Sequence, residues 1–213
     1  MDIISQSVAD YSELYTTPET EALANLNRET NAKVLMPRML SGHLQGRLLS
    51  MFSYMIKPKR ILEIGTYTGY SAICLSEGLA EGGMLHTIDI NEELKQMTMN
   101  YIEQAGCEQK IKLHTGDALK IIPTIHETWD IVFIDADKKN YSEYFDMVIT
   151  RICKGGFIIT DNVLWSGKVL EDPSEMDSDT KAIHAFNKKI QSDPRVENIL
   201  LPVRDGLMVA RVK

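Results

Sequence analysis

From Arg60 onward the chain switches repeatedly between two hydrophobic patterns. Arg60-Ile61-Leu62-Glu63-Ile64-Gly65, Met84-Leu85-His86-Thr87-Ile88-Asp89, Lys110-Ile111-Lys112-Leu113-His114, Trp129-Asp130-Ile131-Val132-Phe133-Ile134-Asp135 and Gly156-Phe157-Ile158-Ile159-Thr160-Asp161 are short apolar runs bounded by turn residues, as expected of parallel strands covered on both faces. Between them, Tyr70 to Ala80, Glu92 to Ala105, Leu119 to Ile125 and Tyr141 to Cys153 have helical spacing, with Gly82-Gly83, Gly106 and Gly155-Gly156 as stops. Strand, helix, strand in this order predicts right-handed crossovers and a doubly wound α/β sheet with helices on both faces.

After Asp161 the pattern changes. A polar loop to Asp179 leads into a helix over Thr180 to Gln191, then two strands, Val196 to Leu201 and Leu207 to Val212, with the hairpin signal Asp205-Gly206 between them. The sheet expected is seven-stranded, mostly parallel, with an antiparallel C-terminal strand. Residues 1–56 are helical in tendency, punctuated by Pro18 and Pro37, with an apolar helix beginning near Gln45. They are expected to cap the ligand end of an α/β core spanning 57–213. With no repeat, low-complexity tract or Gly/Ser linker, the 213 residues read as one domain.

Charge and composition narrow the partners. A formal charge of −7 disfavours a chain-wide grip on phosphate backbones. Met1 to Asp10 carry two acids and no basic residue, the wrong composition for a targeting peptide. No apolar run approaches the ~20 residues needed to span a bilayer. Cys74, Cys107 and Cys153 show neither metal-type nor redox-type spacing, which fits a reducing cytoplasm.

Candidate chemistry begins at the first strand-to-helix turn, Glu63-Ile64-Gly65-Thr66-Tyr67-Thr68-Gly69-Tyr70-Ser71. Its glycines are spaced GxxxG and lack the middle glycine on which a pyrophosphate rests, so a nucleoside without phosphate fits better than a dinucleotide. Asp89 ends the next strand, where a carboxylate can take both ribose hydroxyls, and Glu63 faces the same crevice and suits a positive group. Gly116-Asp117-Ala118 is where an adenine edge would lie. Two acids without a basic residue describe a cationic nucleoside, and S-adenosylmethionine is such a ligand. Taken singly, a glycine after a strand is often only a turn, and an acid there often only a helix cap.

Asp135 ends the fourth strand and Asp161-Asn162 the fifth. Neighbouring strands lie ~4.8 Å apart, so two carboxylates and an amide can converge on one cation. Hard oxygen ligands in small number favour Mg²⁺, with Mn²⁺ or Ca²⁺ as substitutes. Such a cation would draw two adjacent hydroxyls of a catechol and lower the pKa of one. Lys138, three residues beyond Asp135, is close enough to take that proton or stabilise the anion. The competing reading makes Asp135 and Asp161 turn caps and Lys138-Lys139 a solvated charge pair.

These residues resemble the cation-dependent O-methyltransferases related to catechol O-methyltransferase and plant caffeoyl-CoA O-methyltransferase. The similarity runs from about Met39 to the C-terminus, through Met39-Leu40-Ser41-Gly42 with Gln45-Gly46, Glu63-Ile64-Gly65 to Ser71, Ile88-Asp89, Gly116-Asp117-Ala118, Phe133 to Lys138, Asp161-Asn162-Val163-Leu164-Trp165 and Asp205-Gly206-Leu207. The resemblance implies a Rossmann-like class I methyltransferase fold and cofactor contacts at Ser41, Glu63, Gly65, Ser71, Asp89, Ala118 and Asp135. Thr66 in the glycine turn and Met39, beside the transferred methyl group, complete that set. It further implies Asp135, Asp161 and Asn162 as metal ligands, Lys138 as the catalytic lysine, Trp165 and Asp205 beside the acceptor, and a homodimer. Where animal catechol methyltransferases place an acid, this chain has Ile199, Leu200 and Leu201, closer to the caffeoyl-CoA-like branch. Arg28 and Lys33 are the only basic residues before position 37, so a CoA thioester acceptor has no support.

The expected function is methylation of a catechol-like small molecule. The runner-up is a tRNA hydroxyuridine O-methyltransferase, which calls for a basic face built from Lys138, Lys139, Lys168, Arg204 and Arg211. A cofactor-binding module without catalysis would predict damage at Asp135, Asp161, Asn162 or Lys138, and each is intact.

Overall fold

The computed structural model describes residues 5–213; the first four, part of the stretch read above for a targeting signal, lie outside the described residues. Five strands, β1 (Arg60–Ile64), β2 (Met84–Asp89), β3 (Ile111–Thr115), β4 (Trp129–Ile134) and β5 (Ile152–Thr160), run parallel, and β6 (Val196–Leu201) and β7 (Leu207–Val212) complete a seven-stranded sheet of order β3-β2-β1-β4-β5-β7-β6. β7 alone runs opposite to the other six strands, antiparallel to both β5 and β6, so the expected sheet is the observed one. The chain leaves β1 toward β2 and returns to it as β4. The strand order therefore reverses between β1 and β4, which opens a ligand crevice beyond their carboxyl ends.

The eight α-helices among the described residues are α1 (Gln6–Leu14), α2 (Glu21–Lys33), α3 (Gly42–Ile56), α4 (Tyr70–Ser76), α5 (Lys95–Gln104), α6 (Ala118–Ile121), α7 (Tyr141–Ile149) and α8 (Ser178–Ser192). Alternation along the strands divides the core in two. Ile61, Ile131, Phe133 and Ile159 pack under α2, α3, α4 and α5, through Leu26, Leu49, Ile73 and Tyr101. Leu62, Val132, Ile134 and Ile158 pack against α7 and α8 through Phe145, Val148, Phe186 and Ile190. α3 is thus part of a helical layer, tied to α4 by Ser53 Oγ donating to Leu75 O at 2.6 Å and by the Arg47–Glu77 ion pair at 2.6 Å. Its N-terminal turn reaches the carboxyl ends of the strands. No helix among the described residues is long and apolar enough to cross a membrane.

Two expected boundaries shift for identifiable reasons. The helix expected over Leu119 to Ile125 breaks into α6 and a 3₁₀ turn at Ile122–Thr124, because Pro123 has no N–H to continue the α pattern. The helix expected over Tyr141 to Cys153, with Gly155-Gly156 as its stop, ends at Ile149, and β5 begins at Ile152. Gly155, at φ +81°, lies inside that strand. The β4–β5 register jumps from Trp129↔Ile152 to Ile131↔Phe157, so the glycine serves a bulge instead of a helix stop.

On β2 and β3, His86 Nδ1 and His114 Nε2 lie 3.0 Å apart in stacked rings, with Trp129 edge-on to His86. Burial first, then the neighbouring His114, Lys112 and Arg60, pushes His86 down to about 4 against the opposing pull of Glu127. Burial and Lys112 lower His114 as well. With the folded-state pKa below the unfolded value of about 6.5, the unfolded chain takes the proton first. Stability present above pH 6.5 should therefore drain as pH falls toward 4. Thermal unfolding followed from pH 7 to 4.5 is expected to show a falling Tm, with a shallower slope in His86→Gln; equal slopes would place the acid sensitivity elsewhere.

Candidate functional site

The turn after β1 is fixed to both neighbouring strands. Asp135 N–H donates to Ile64 O at 2.8 Å and Gly65 N–H donates to Ile88 O at 2.9 Å. Gly65 has φ +102°, and a Cβ built there would lie 1.8 Å from Asp135 O, so only glycine lets this turn lie flush against the end of β4. Beside it, Glu63 is fully buried. Thr87 Oγ1 donates to its Oε2 at 2.5 Å and also contacts Thr66 Oγ1, whereas Oε1 has no partner. Burial, with smaller contributions from the charges of Asp135 and Asp89, lifts the Glu63 carboxyl to about 8 against the opposing pull of the neighbouring Ser71 and Thr87 hydroxyls. A buried acid with one free oxygen is a ready partner for a ligand's ammonium group.

Asp89 is held on two sides, Oδ2 accepting from Tyr67 N–H at 2.6 Å and Oδ1 from Asn91 N–H at 2.8 Å, which leaves further lone pairs for a diol. Asp117 caps α6 through Leu119 N–H at 3.0 Å, the bland role, and sets the buried Ala118 at the rim. The segment between α2 and α3 forms another wall. Tyr67 Oη donates to Leu35 O at 3.2 Å and Met36 O at 3.3 Å, Thr30 Oγ1 meets Thr68 Oγ1 at 3.2 Å, and Arg204 Nη1 donates to Leu40 O at 2.9 Å and to Ser41 O. Ser41 is buried in this wall, whereas Met39 is 55 % exposed.

Asp135 and Asp161 stand at adjacent strand ends, with Asp161 N–H donating to Ile134 O at 2.9 Å. Lys138 comes from the 3₁₀ turn Lys138–Asn140. That turn is pinned where Asp137 accepts from Asn140 Nδ2 and Tyr144 Oη, both at 2.6 Å. Lys138 Nζ meets Asp135 Oδ1 at 3.1 Å, Asn162 Oδ1 at 2.7 Å and Tyr141 Oη at 2.5 Å. The Lys138 ammonium thus draws oxygens of Asp135, Asn162 and Tyr141 to one point. Asp161 is 3 % exposed; burial and the charge of Asp135 lift it to about 7, opposed by hydrogen bonds from Gln45 and Asn162 N–H and by the charge of Arg204. A crowded anionic pair of this kind suits a divalent cation. Among the described residues no group of three or more His, Cys, Asp or Glu side chains is set to hold a metal; the donor set here is two carboxylates and an amide.

Beyond β5 the backbone turns through left-handed conformations at Asn162 (φ 58°), Trp165 (φ 47°) and Ser166 (φ 54°), a concentration of strain common at functional sites. Trp165 is half-buried, its ring 5.7 Å from Lys138 Nζ. Asp205, expected beside the acceptor, accepts from Ser166 N–H at 2.5 Å and so braces the turn that carries Trp165.

Glu63, Gly65, Thr66, Ser71 and Asp89 thus cluster at the β1–α4 turn and the end of β2, and Asp135, Lys138, Asp161, Asn162 and Trp165 gather beyond β4 and β5. Sequence reasoning gave Tyr141 no role, quoted Gln45 only within a motif and placed Arg204 only in a possible basic face, so the contacts all three make here were missed. Gln45 had a signal, an amide on the buried stripe of α3 beside Gly46 and Leu49, which must find a partner. Tyr141 and Arg204 had none, since only the fold turns them inward.

Residues 12–213 match the model of the O-methyltransferase family. Caffeoyl-CoA O-methyltransferase 1 of Arabidopsis thaliana is 35 % identical over 204 residues, covering 91 % of this chain and 78 % of its own length. The corresponding enzyme of Petroselinum crispum is 36 % identical, with 91 % and 84 % covered. Among solved structures, an O-methyltransferase from Bacillus cereus in complex with SAH superposes with a TM-score of 0.89 at 31 % identity over 97 % of both chains. TomG of Streptomyces achromogenes, an O-methyltransferase of tomaymycin synthesis in complex with SAM, gives 0.89 at 29 % identity, with 97 % of this chain and 96 % of that one covered. A match over nearly the whole chain, on a fold whose strand ends bring these side chains together, makes this protein a member of the O-methyltransferase family.

Proposed function

We propose that this chain transfers the methyl group of S-adenosylmethionine to a hydroxyl of a catechol-like small molecule, with a divalent cation, Mg²⁺ foremost, at Asp135, Asp161 and Asn162. The observation that carries it is the convergence of Asp135 Oδ1 and Asn162 Oδ1 on one cationic position beside the buried Asp161, next to the crevice of Glu63 and Asp89. The names of the relatives, which are caffeoyl-CoA O-methyltransferases and complexes with SAM or SAH, point the same way.

In this reading Glu63 Oε1 takes the cofactor's ammonium and Asp89 its ribose hydroxyls, with Gly65, Thr66, Ser71, Ala118, Ser41 and Met39 shaping the berth. Asp135, Asp161 and Asn162 hold the cation, which when bound supplies Lewis acidity toward the acceptor's hydroxyl. Lys138 Nζ, an ammonium among the same oxygens, is placed to stabilise by its charge the oxyanion left when that hydroxyl gives its proton to water. Trp165 offers a face for a phenolic ring. The bond from methyl to sulfur breaks as the bond to oxygen forms, and a cation and an anion become neutral products, a change favoured where water is scarce.

Four of the five residues named for a basic face are engaged elsewhere, which weighs against a tRNA acceptor, while Lys139 stands exposed. Lys168 pairs with Asp177 at 3.0 Å, Arg211 with Glu197 at 2.7 Å, Arg204 is spent on Leu40 and Ser41 carbonyls, and Lys138 lies among the metal-site oxygens. A homodimer and a cytoplasmic location belong to the same proposal. An apolar groove lined by Phe52, Met55, Phe157 and Val209 supports the first, and the three unpaired cysteines support the second.

Incubation with methyl-labelled S-adenosylmethionine and caffeic acid is expected to give labelled product in Mg²⁺. EDTA should lower the rate by at least about 10²-fold, with Mn²⁺ restoring it. Product formed equally well in EDTA would remove the metal from the reaction, and no product from any simple catechol would remove the acceptor class.

A further inference from the structure

Gln45 lies in the first turn of α3 and is fully buried, far in sequence from the strand ends it touches. Its Nε2 donates to Asp161 Oδ2 at 2.6 Å, while its Oε1 faces Arg204 Nη1 at 3.5 Å. The amide's orientation is dictated by its partners, because a carboxylate only accepts and a guanidinium only donates. A flipped amide would set oxygen against oxygen and nitrogen against nitrogen. The other Asp161 oxygen, Oδ1, accepts from Asn162 N–H at 2.7 Å. Each oxygen of this carboxylate therefore has one donor fixed by the fold and keeps free lone pairs for a cation.

We infer that Gln45 is a positioning residue for the metal site, holding the Asp161 carboxylate in its ligating orientation while Arg204 holds Gln45. The inference rests on the proposed role of Asp161 as a metal ligand. Groups that orient a ligand carboxylate typically contribute 10–100-fold to metal affinity. Arg204 keeps its bonds to Leu40 and Ser41 carbonyls without Gln45, so the wall on the cofactor side should survive its replacement.

The test is a Mn²⁺ titration of chelator-treated, full-length protein, read by the free-ion spin signal, together with S-adenosylhomocysteine affinity measured without metal. Gln45→Met, close in size but unable to donate or accept strongly, is expected to weaken Mn²⁺ binding about 10–100-fold and to leave S-adenosylhomocysteine affinity within about threefold. Gln45→Asn, which keeps an amide but withdraws it by one methylene, should shift in the same direction and serves if the methionine variant does not fold. Wild-type Mn²⁺ affinity in either folded variant, or an equal loss of both affinities, would overturn the inference and leave the metal reading standing. A wild-type protein without a saturable Mn²⁺ site that Asp161→Ala abolishes would overturn the metal reading and this inference with it.

Discussion

An Asp161→Ala variant is expected to bind S-adenosylhomocysteine within a few-fold of wild type yet to methylate a catechol about 10²–10³-fold more slowly in kcat/KM, the loss of several kcal/mol of Lewis-acid assistance. Alanine removes one of two carboxylates from the end of the sheet and leaves the buried Nε2 of Gln45 without its acceptor. That orphaned donor costs about 1–3 kcal/mol of stability. Against this, the carboxyl of Asp161 is held near 7 by burial and by the charge of Asp135, and relief of that crowding offsets part of the cost. The Tm should therefore fall by only a few degrees. Activity measured at saturating Mg²⁺, beside a thermal melt, separates the two effects. A variant as fast as wild type would take Asp161 out of the chemistry.

Gly65→Ala should fail in a different way. Its Cβ would meet Asp135 O at 1.8 Å with φ at +102°, and the backbone cannot yield, because Ile64 O and Gly65 N–H are both engaged with neighbouring strands. Left-handed strain and overpacking together cost about 2–6 kcal/mol, a large share of the usual 5–15 kcal/mol stability. The expected outcome is a Tm lowered by about 10 °C, or insoluble protein, and no S-adenosylhomocysteine binding. Gly82→Ala is the control: it also has positive φ but nothing within 4 Å, and it should lose far less. Equal melting temperatures for the two variants would show that the turn can move away from β4.

The parallel strands were legible because burial on both faces writes continuous apolar runs, and the two C-terminal strands because Asp205-Gly206 marks the turn between them. Helix ends were less legible. Gly155 looks like a stop, yet whether a glycine ends a helix or opens a bulge depends on the partner strand, here Trp129 to Ile131. The acids at strand ends could be placed from the sequence because β4 and β5 had to be neighbours. Second partners could not be placed the same way. Thr87, which holds Glu63, and Gln45, which holds Asp161, reach those acids across 24 and 116 residues of chain. Asp205 was expected to border an acceptor; its bond to the Ser166 backbone was not legible, because it is decided by how the β6–β7 turn folds back on the segment after β5.

The bracing of the Trp165 turn bears on how such an enzyme could change its diet. Asp135, Asp161 and Asn162 sit at or just beyond the ends of strands in the middle of the sheet, fixed by the pairing of β4 and β5. The segment after Trp165 is fastened through the Asp205–Ser166 bond and the Lys168–Asp177 pair, and Leu170 within it is 87 % exposed. Substitutions along that stretch can reshape the space above Trp165 without moving a charge near Lys138. A duplicated gene could acquire a new acceptor there while inheriting its chemistry intact.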